Sequence, residues 1–117
     1  MRVFVADDSW VVRRLLASIL SLAKGVENIG EASDALEAIE CVRRLRPEAA
    51  ILDIQMPKGS GIDVLKAIRH YELPTKVIML TNYPYPQYRL TCMAERAEFL
   101  LTNPPNCIVS HRYFGNG

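Results

Sequence analysis

AAILD, at residues 49–53, decides the fold, because four apolar residues lead directly to a carboxylate. VFVADD at residues 3–8 has the same form, and VIMLT at residues 77–81 leads from an apolar run to a hydroxyl. Short, wholly apolar runs of this kind are typical of parallel strands that are buried on both faces. The carboxyl ends of such strands lie along one edge of a sheet, where open α/β folds bind their ligands. We therefore expect the polar residues that follow these runs to meet at that edge.

Helical patterns occupy the segments between these strands. Residues 12–20 place apolar side chains on one stripe of an amphipathic helix, with Asp8 or Ser9 as its N-cap. Asp34 followed by Glu37 predicts a capping box at the start of the next helix. The first of these helices is predicted to end at Gly25 and the second at Pro47, with a weak edge strand at 26–32 between them. Further helices are predicted at about 62–71 and 86–96, and a last strand at 97–102.

This alternation of strands and helices predicts an α/β fold with a five-stranded, doubly wound parallel sheet. Residues 1–102 carry the pattern and are expected to form one domain. Residues 103–117 show no helical periodicity and contain prolines and glycines, so we expect an irregular tail with the last helix atypical or missing.

Composition limits the functions that the chain can have. Its 117 residues are 50% hydrophobic, enough for one compact core, and its net charge of +1 arises from mixed charges, so neither nucleic-acid binding nor membrane binding is expected. The three cysteines are odd in number and form no CxxC pair, which favours reduced thiols. No apolar run approaches the roughly 18 residues of a membrane span. We expect a soluble, cytoplasmic protein.

Three sequence features together resemble the receiver domain of two-component response regulators. They are the acidic pair at residues 7–8, the segment DIQMPKGSG at residues 53–61, and Thr81 after the next strand. The likeness covers residues 1–102 in the family's order and spacing. It implies a flavodoxin-like fold and a signalling module that at most catalyses its own phosphorylation and dephosphorylation.

The resemblance assigns a role to each polar residue at the sheet edge. Asp53 would accept a phosphoryl group from the phosphohistidine of a histidine kinase, and the hydroxyl of Thr81 would respond to it. Asp7, Asp8 and Asp53 would hold Mg²⁺ together with the backbone carbonyl of Gln55. Elementary chemistry agrees, because Mg²⁺ prefers six oxygen ligands and is usually held by carboxylates, waters and phosphate oxygens.

The chain departs from the family pattern near its end. Receivers carry a lysine that binds the phosphoryl group, and the matching position is Asn103, which brings no charge. The aromatic residue that often changes rotamer on activation corresponds to Leu100. Without a regular last helix, the sheet face would be covered either by the apolar residues of the tail or by a second copy in a homodimer.

Two functions therefore remain open. The first is a phosphoacceptor whose partners are a sensor histidine kinase or phosphotransfer protein and a downstream protein target. The alternative is an interaction module that keeps the metal site but has no working phosphorylation switch. Two other functions are disfavoured. A phosphatase of the haloacid dehalogenase class needs a second Asp at the position of Gln55, and a flavodoxin-like nucleotide binder needs a glycine-rich loop, which does not follow the first strand here.

Overall fold

Strands and helices alternate along the whole part of the chain that the computed structural model describes, residues 1–83 and 85–102. The elements are β1 (Arg2–Ala6), α1 (Trp10–Leu22), β2 (Glu27–Ala32), α2 (Ala35–Leu45), β3 (Ala49–Asp53), α3 (Gly61–His70), β4 (Lys76–Thr81), α4 (Pro86–Ala94) and β5 (Phe99–Thr102).

The five strands form one parallel sheet in the order β2-β1-β3-β4-β5. The order reverses between β1 and β3, and the edge position predicted for the second strand is confirmed. Asp53 pairs with Leu80 in β4, and Thr81 pairs with Thr102 in β5. The predicted α/β, flavodoxin-like sheet is confirmed. The predictions for a missing last helix and an irregular tail fall on residues 103–117, outside the described residues, and the domain boundary at residue 102 stays a prediction.

Alternate strand residues point to two different cores. Phe4, Ala50 and Leu52 belong to a large core with α2, α3 and α4, in which Ile68 and Cys92 are completely buried. The opposite face holds a smaller cluster, formed by Val3, Val5, Ala49 and Ile51, against which Leu16 and Leu20 of α1 are partly buried. The period of two along each strand thus places helices on both faces of the sheet.

The apolar stripe of α1 is broader than the surface that it covers. Leu16 and Leu20 are half-buried, but Leu15 and Ile19, which lie on the same predicted stripe, are 58% and 54% exposed. The helix packs on β1 and β2, and these two strands meet only part of its circumference. Within residues 1–83 and 85–102, no helix combines the length and apolarity that crossing a membrane would require. The cytoplasmic location stays a prediction.

Side chains cap the starts of α1, α2 and α3, though not always in the predicted way. Ser9 caps α1 by accepting a hydrogen bond from the backbone N–H of Val12 at 3.2 Å, which settles the choice between Asp8 and Ser9. Asp34 caps α2, but the Glu37 carboxylate accepts from the N–H of Ser33, so the predicted reciprocal box is wrong. A complete capping box is found at α3 instead, where Ser60 and Asp63 accept from each other's backbone N–H groups.

Candidate functional site

Three carboxylates meet at the carboxyl edge of the sheet. Asp7 follows β1 and Asp53 ends β3, and because these strands are neighbours, their side chains emerge side by side. One oxygen from each of Asp7, Asp8 and Asp53 lies within 4.8 Å of the other two. Asp7 and Asp53 are only 5% and 8% exposed, whereas Asp8 is open to solvent. The sequence prediction that these residues come together is confirmed, while their roles stay predictions.

Burial and mutual repulsion disfavour charge on Asp7 and Asp53. The pKa of Asp53 is raised from 3.8 to about 7, chiefly by burial and then by the negative charge of Asp7, and a hydrogen bond from the backbone N–H of Gln55 opposes the rise only in part. Burial also raises the pKa of Asp7, although the N–H of Ser9 donates to its carboxylate at 2.8 Å. A cation between the carboxylates would remove both penalties.

The donor set fits a hard divalent cation. Oxygen ligands of Mg²⁺ lie about 2.1 Å from the metal, so two ligands on opposite sides of the ion are about 4.2 Å apart. The three carboxylate oxygens all lie within 4.8 Å of one another, an upper limit only slightly larger than the greatest separation that ligands of one ion can have. Hard oxygen donors suit Mg²⁺, Ca²⁺ or Mn²⁺ better than metals that prefer nitrogen or sulfur ligands. The acidic cluster can therefore bind a metal ion of this class.

Thr81 lies one strand away from Asp53 and is bound to residues of two loops. It is 1% exposed, and its hydroxyl lies 3.1 Å from both Oε1 of Gln55 and the carbonyl oxygen of Tyr83. The N–H of Tyr83 donates back to Oγ1 at 3.0 Å. Thr81 is thus at the predicted edge, but its hydroxyl is engaged with neighbouring protein groups.

The loop after β3 is held against the strand by close backbone contact. The N–H of Gly61 donates to the carbonyl of Ile54 at 2.9 Å. A Cβ atom on Gly61 would lie 2.2 Å from the carbonyl oxygen of Asp53, so no side chain fits there. Lys58 pairs with Asp34 at 3.8 Å and is directed to the start of α2. The glycine thus positions the segment that carries Gln55.

Sequence reasoning missed the side chain of Gln55, since it used only the backbone carbonyl of that residue. The side chain contacts Thr81. This contact could have been predicted only with knowledge of the register between β3 and β4, which the sequence pattern does not give. Trp10, which follows the acidic pair, is 65% exposed on the first turn of α1. Leu100 is buried in the large core, and Asn103 lies outside the described residues.

Known proteins resemble this chain in sequence and in fold. The family model of the response regulator receiver domain matches residues 3–107. The probable transcriptional regulatory protein NarL of Mycobacterium tuberculosis is 38% identical over 86 residues, 74% of this chain and 40% of that protein. A protein-glutamate methylesterase/protein-glutamine glutaminase of Rhizobium etli is 39% identical over 116 residues, 98% of this chain and 33% of that protein. The chain therefore spans less than half the length of either relative.

A solved structure agrees with these sequence matches. The response regulator domain of Thermotoga maritima CheB superimposes with a TM-score of 0.83 at 32% sequence identity, covering 93% of this chain and 82% of that one.

Proposed function

Because the chain belongs to the response regulator receiver domain family, we propose that it accepts a phosphoryl group on Asp53 in a Mg²⁺-dependent reaction. The phosphoryl donor is a sensor histidine kinase or a phosphotransfer protein, and the output is a change in a surface that binds a downstream protein. The observation that carries this proposal is the meeting of the Asp7, Asp8 and Asp53 oxygens within 4.8 Å. In this reaction the chain acts as a signalling module.

The chemistry asks for a carboxylate nucleophile and for compensation of negative charge. An oxygen of Asp53 attacks phosphorus, an O–P bond forms, and the P–N bond of the donor phosphohistidine breaks with its electron pair left on the imidazole nitrogen. Bound Mg²⁺ would supply the positive charge that keeps Asp53 ionised and offsets the charge of the phosphoryl oxygens. Asp7, Asp8 and the backbone carbonyl of Gln55 are the proposed remaining protein ligands.

Thr81 is the proposed sensor of the phosphoryl group. A phosphoryl group on Asp53 would bring charged oxygens to the neighbouring strand, and the Thr81 hydroxyl can donate to one of them. This bond would be favoured, because hydrogen bonds to charged acceptors are roughly twice as strong as those to neutral ones. Turning toward Asp53 would take the hydroxyl away from the carbonyl of Tyr83, to which it now lies close at 3.1 Å. The loop after β4 would then change its conformation and with it the surface beside α4.

Incubation with Mg²⁺ and a small phosphodonor such as acetyl phosphate tests the proposal. We expect intact-mass measurements to show one added phosphoryl group in the wild type and none in Asp53→Asn. Asp63→Asn is the matched control, since it makes the same substitution at an exposed carboxylate of α3 and should leave phosphorylation intact. Failure of the wild type to gain mass, or equal gain by Asp53→Asn, would contradict the proposal.

A second candidate function is a binding module without a phosphorylation switch. Asn103 in place of the family lysine favours it, since an amide brings no charge to a phosphoryl oxygen. In that case the metal site remains, but acetyl phosphate and Mg²⁺ leave the surface near α4 unchanged. Backbone NMR spectra with and without acetyl phosphate separate the two functions, because only the first predicts shifts in α4 that disappear in Asp53→Asn.

A further inference from the structure

Gln55 contacts both the candidate nucleophile and the candidate sensor. Its backbone N–H donates to Oδ1 of Asp53 at 3.2 Å, and its side-chain Oε1 accepts from the hydroxyl of Thr81 at 3.1 Å. The same residue therefore connects the end of β3 with the end of β4. Any displacement of Thr81 toward Asp53 must first change its contact with Gln55.

The hydroxyl of Thr81 has more acceptors than it can serve. A hydroxyl has one proton to donate, yet Oε1 of Gln55 and the carbonyl oxygen of Tyr83 both lie 3.1 Å from Oγ1. The backbone N–H of Tyr83 also donates to this oxygen at 3.0 Å. These three partners hold the side chain of Thr81 in one orientation. The proton shared between two neutral acceptors is not available to a third group unless one of them is given up.

The amide of Gln55 is anchored through this contact. Among the described residues, its Nε2 atom is buried and has no hydrogen-bond partner, while Oε1 has Thr81. A buried amide nitrogen without a partner is already costly, and losing the contact of Oε1 would leave the whole amide unpaired. The side chain is thus restrained from releasing Thr81 spontaneously. A phosphoryl oxygen, as a charged acceptor, competes better for the hydroxyl than a neutral amide oxygen does.

We propose that the Gln55 side chain is a latch that holds the Thr81 hydroxyl in its resting orientation until an anion occupies the Asp53 site. The inference rests on the proposed function, because it is phosphorylation that releases the latch. Gln55 is a positioning residue here, acting through Thr81. The proposal concerns its side chain and leaves the predicted role of its backbone carbonyl unchanged.

Gln55→Met tests the latch, because methionine has a similar length and no hydrogen-bonding amide. Gln87→Met makes the same substitution at an exposed position of α4 and is the matched control. In protein free of metal and phosphodonor, we expect the backbone amide resonances of Thr81 and Tyr83 to shift in Gln55→Met and to stay in place in Gln87→Met. Unchanged resonances in Gln55→Met would overturn the proposal without any reference to phosphorylation.

Beryllofluoride, a phosphoryl mimic, measures the energetic consequence at saturating Mg²⁺. Since the latch is one neutral hydrogen bond, Gln55→Met should bind beryllofluoride about threefold to tenfold more tightly than the wild type. The gain should vanish when the same substitution is made in a Thr81→Val background, because valine has no hydroxyl to release. Weaker binding by Gln55→Met, or an equal gain in both backgrounds, would overturn the latch.

The two proposals fail in different ways. If the wild type does not bind beryllofluoride or gain a phosphoryl group, the proposed function is wrong, and the resonances of Thr81 and Tyr83 alone decide whether Gln55 restrains the hydroxyl. If the wild type binds beryllofluoride but Gln55→Met behaves like Gln87→Met in both measurements, the latch is wrong and the proposed function stands.

Discussion

The sheet face beneath α2, α3 and α4 and the carboxyl edge of the same sheet bury different chemistry. On the face, buried side chains such as Phe4, Leu52 and Ile68 belong to one apolar cluster. At the edge, Asp7 and Asp53 are also almost inaccessible, but they face one another. The same depth of burial stabilises the first region and disfavours the charged state of the second.

This difference shows which region of the fold is stabilising and which region is destabilising. Apolar burial on the face supplies the free energy that lets two like charges lie together at the edge. At the edge, a bound cation can relieve the electrostatic repulsion between the carboxylates and the cost of burying their charge. A substitution that removes apolar volume from the face should therefore destabilise the protein, while one that removes the charge of Asp53 from the crowded cluster at the edge should stabilise it.

The largest expected effect is on the face. Ile68→Ala removes a side chain that is 0% exposed between α3 and the sheet. We expect the free energy of unfolding to fall by about 2 to 5 kcal/mol, because the cavity cannot be filled by rearrangement of a close-packed core. Urea denaturation measures the change. The matched control is Ile19→Ala on α1, where the side chain is 54% exposed and the loss should be under about 1 kcal/mol. Equal losses would mean that the two faces are packed alike.

The next effect has the opposite sign and depends on pH. The pKa of Asp53 is about 7 in the folded protein against 3.8 as its ordinary value, so between these values the folded chain holds a proton that the unfolded chain has released. The contribution of this group to stability is therefore greatest at low pH and is lost as the pH rises through about 7. Asp53→Asn removes the charge but keeps an oxygen that can accept from the N–H of Gln55.

In chelator-treated protein, we expect Asp53→Asn to raise the free energy of unfolding by about 1 to 3 kcal/mol at pH 8 and to change it little near pH 4.5. Water and side-chain relaxation screen the repulsion, so the expected gain in stability is smaller than the free energy to which the whole pKa shift would correspond. Urea denaturation at the two pH values is the measurement. A stabilisation of the same size at both would show that the charge on Asp53 is not its cause. Adding Mg²⁺ should stabilise the wild type and reduce the difference at pH 8.

The comparison also explains what could be predicted from the sequence. The three central strands were the most predictable, because runs such as residues 49–53 and 77–81 combine apolar character with a polar residue at the end. The meeting of Asp7, Asp8 and Asp53 followed from the parallel order of the strands, since it needs only the topology. Topology is read from patterns of many residues, which makes it robust to single misassignments.

Contacts that depend on individual side chains were less accessible. Glu37 follows Asp34 at the right spacing for a capping box, yet its carboxylate accepts from Ser33, because the spacing does not fix the rotamer. The contact between Gln55 and Thr81 joins residues 26 positions apart and depends on loop conformation. The exposure of Leu15 and Ile19 on α1 depends on what covers that face of the sheet, which the helical period does not contain.

The smallest expected effect compares two carboxylates at the same edge. Asp63 in the first turn of α3 accepts from the N–H of Ser60 at 3.0 Å, so its charge is paired with a helix N-terminus and not with another carboxylate. Asp63→Asn should therefore destabilise the fold by about 0.3 to 1 kcal/mol at pH 8, the usual value of a negative charge at that end of a helix. The same chemical substitution thus has opposite signs ten residues apart in the sequence. Urea denaturation of the two variants in parallel, in chelator and at low ionic strength, measures the contrast. If Asp63→Asn also stabilised the protein, the gain from Asp53→Asn would reflect general relief of negative charge, because the local crowding of Asp7 and Asp53 could not account for both.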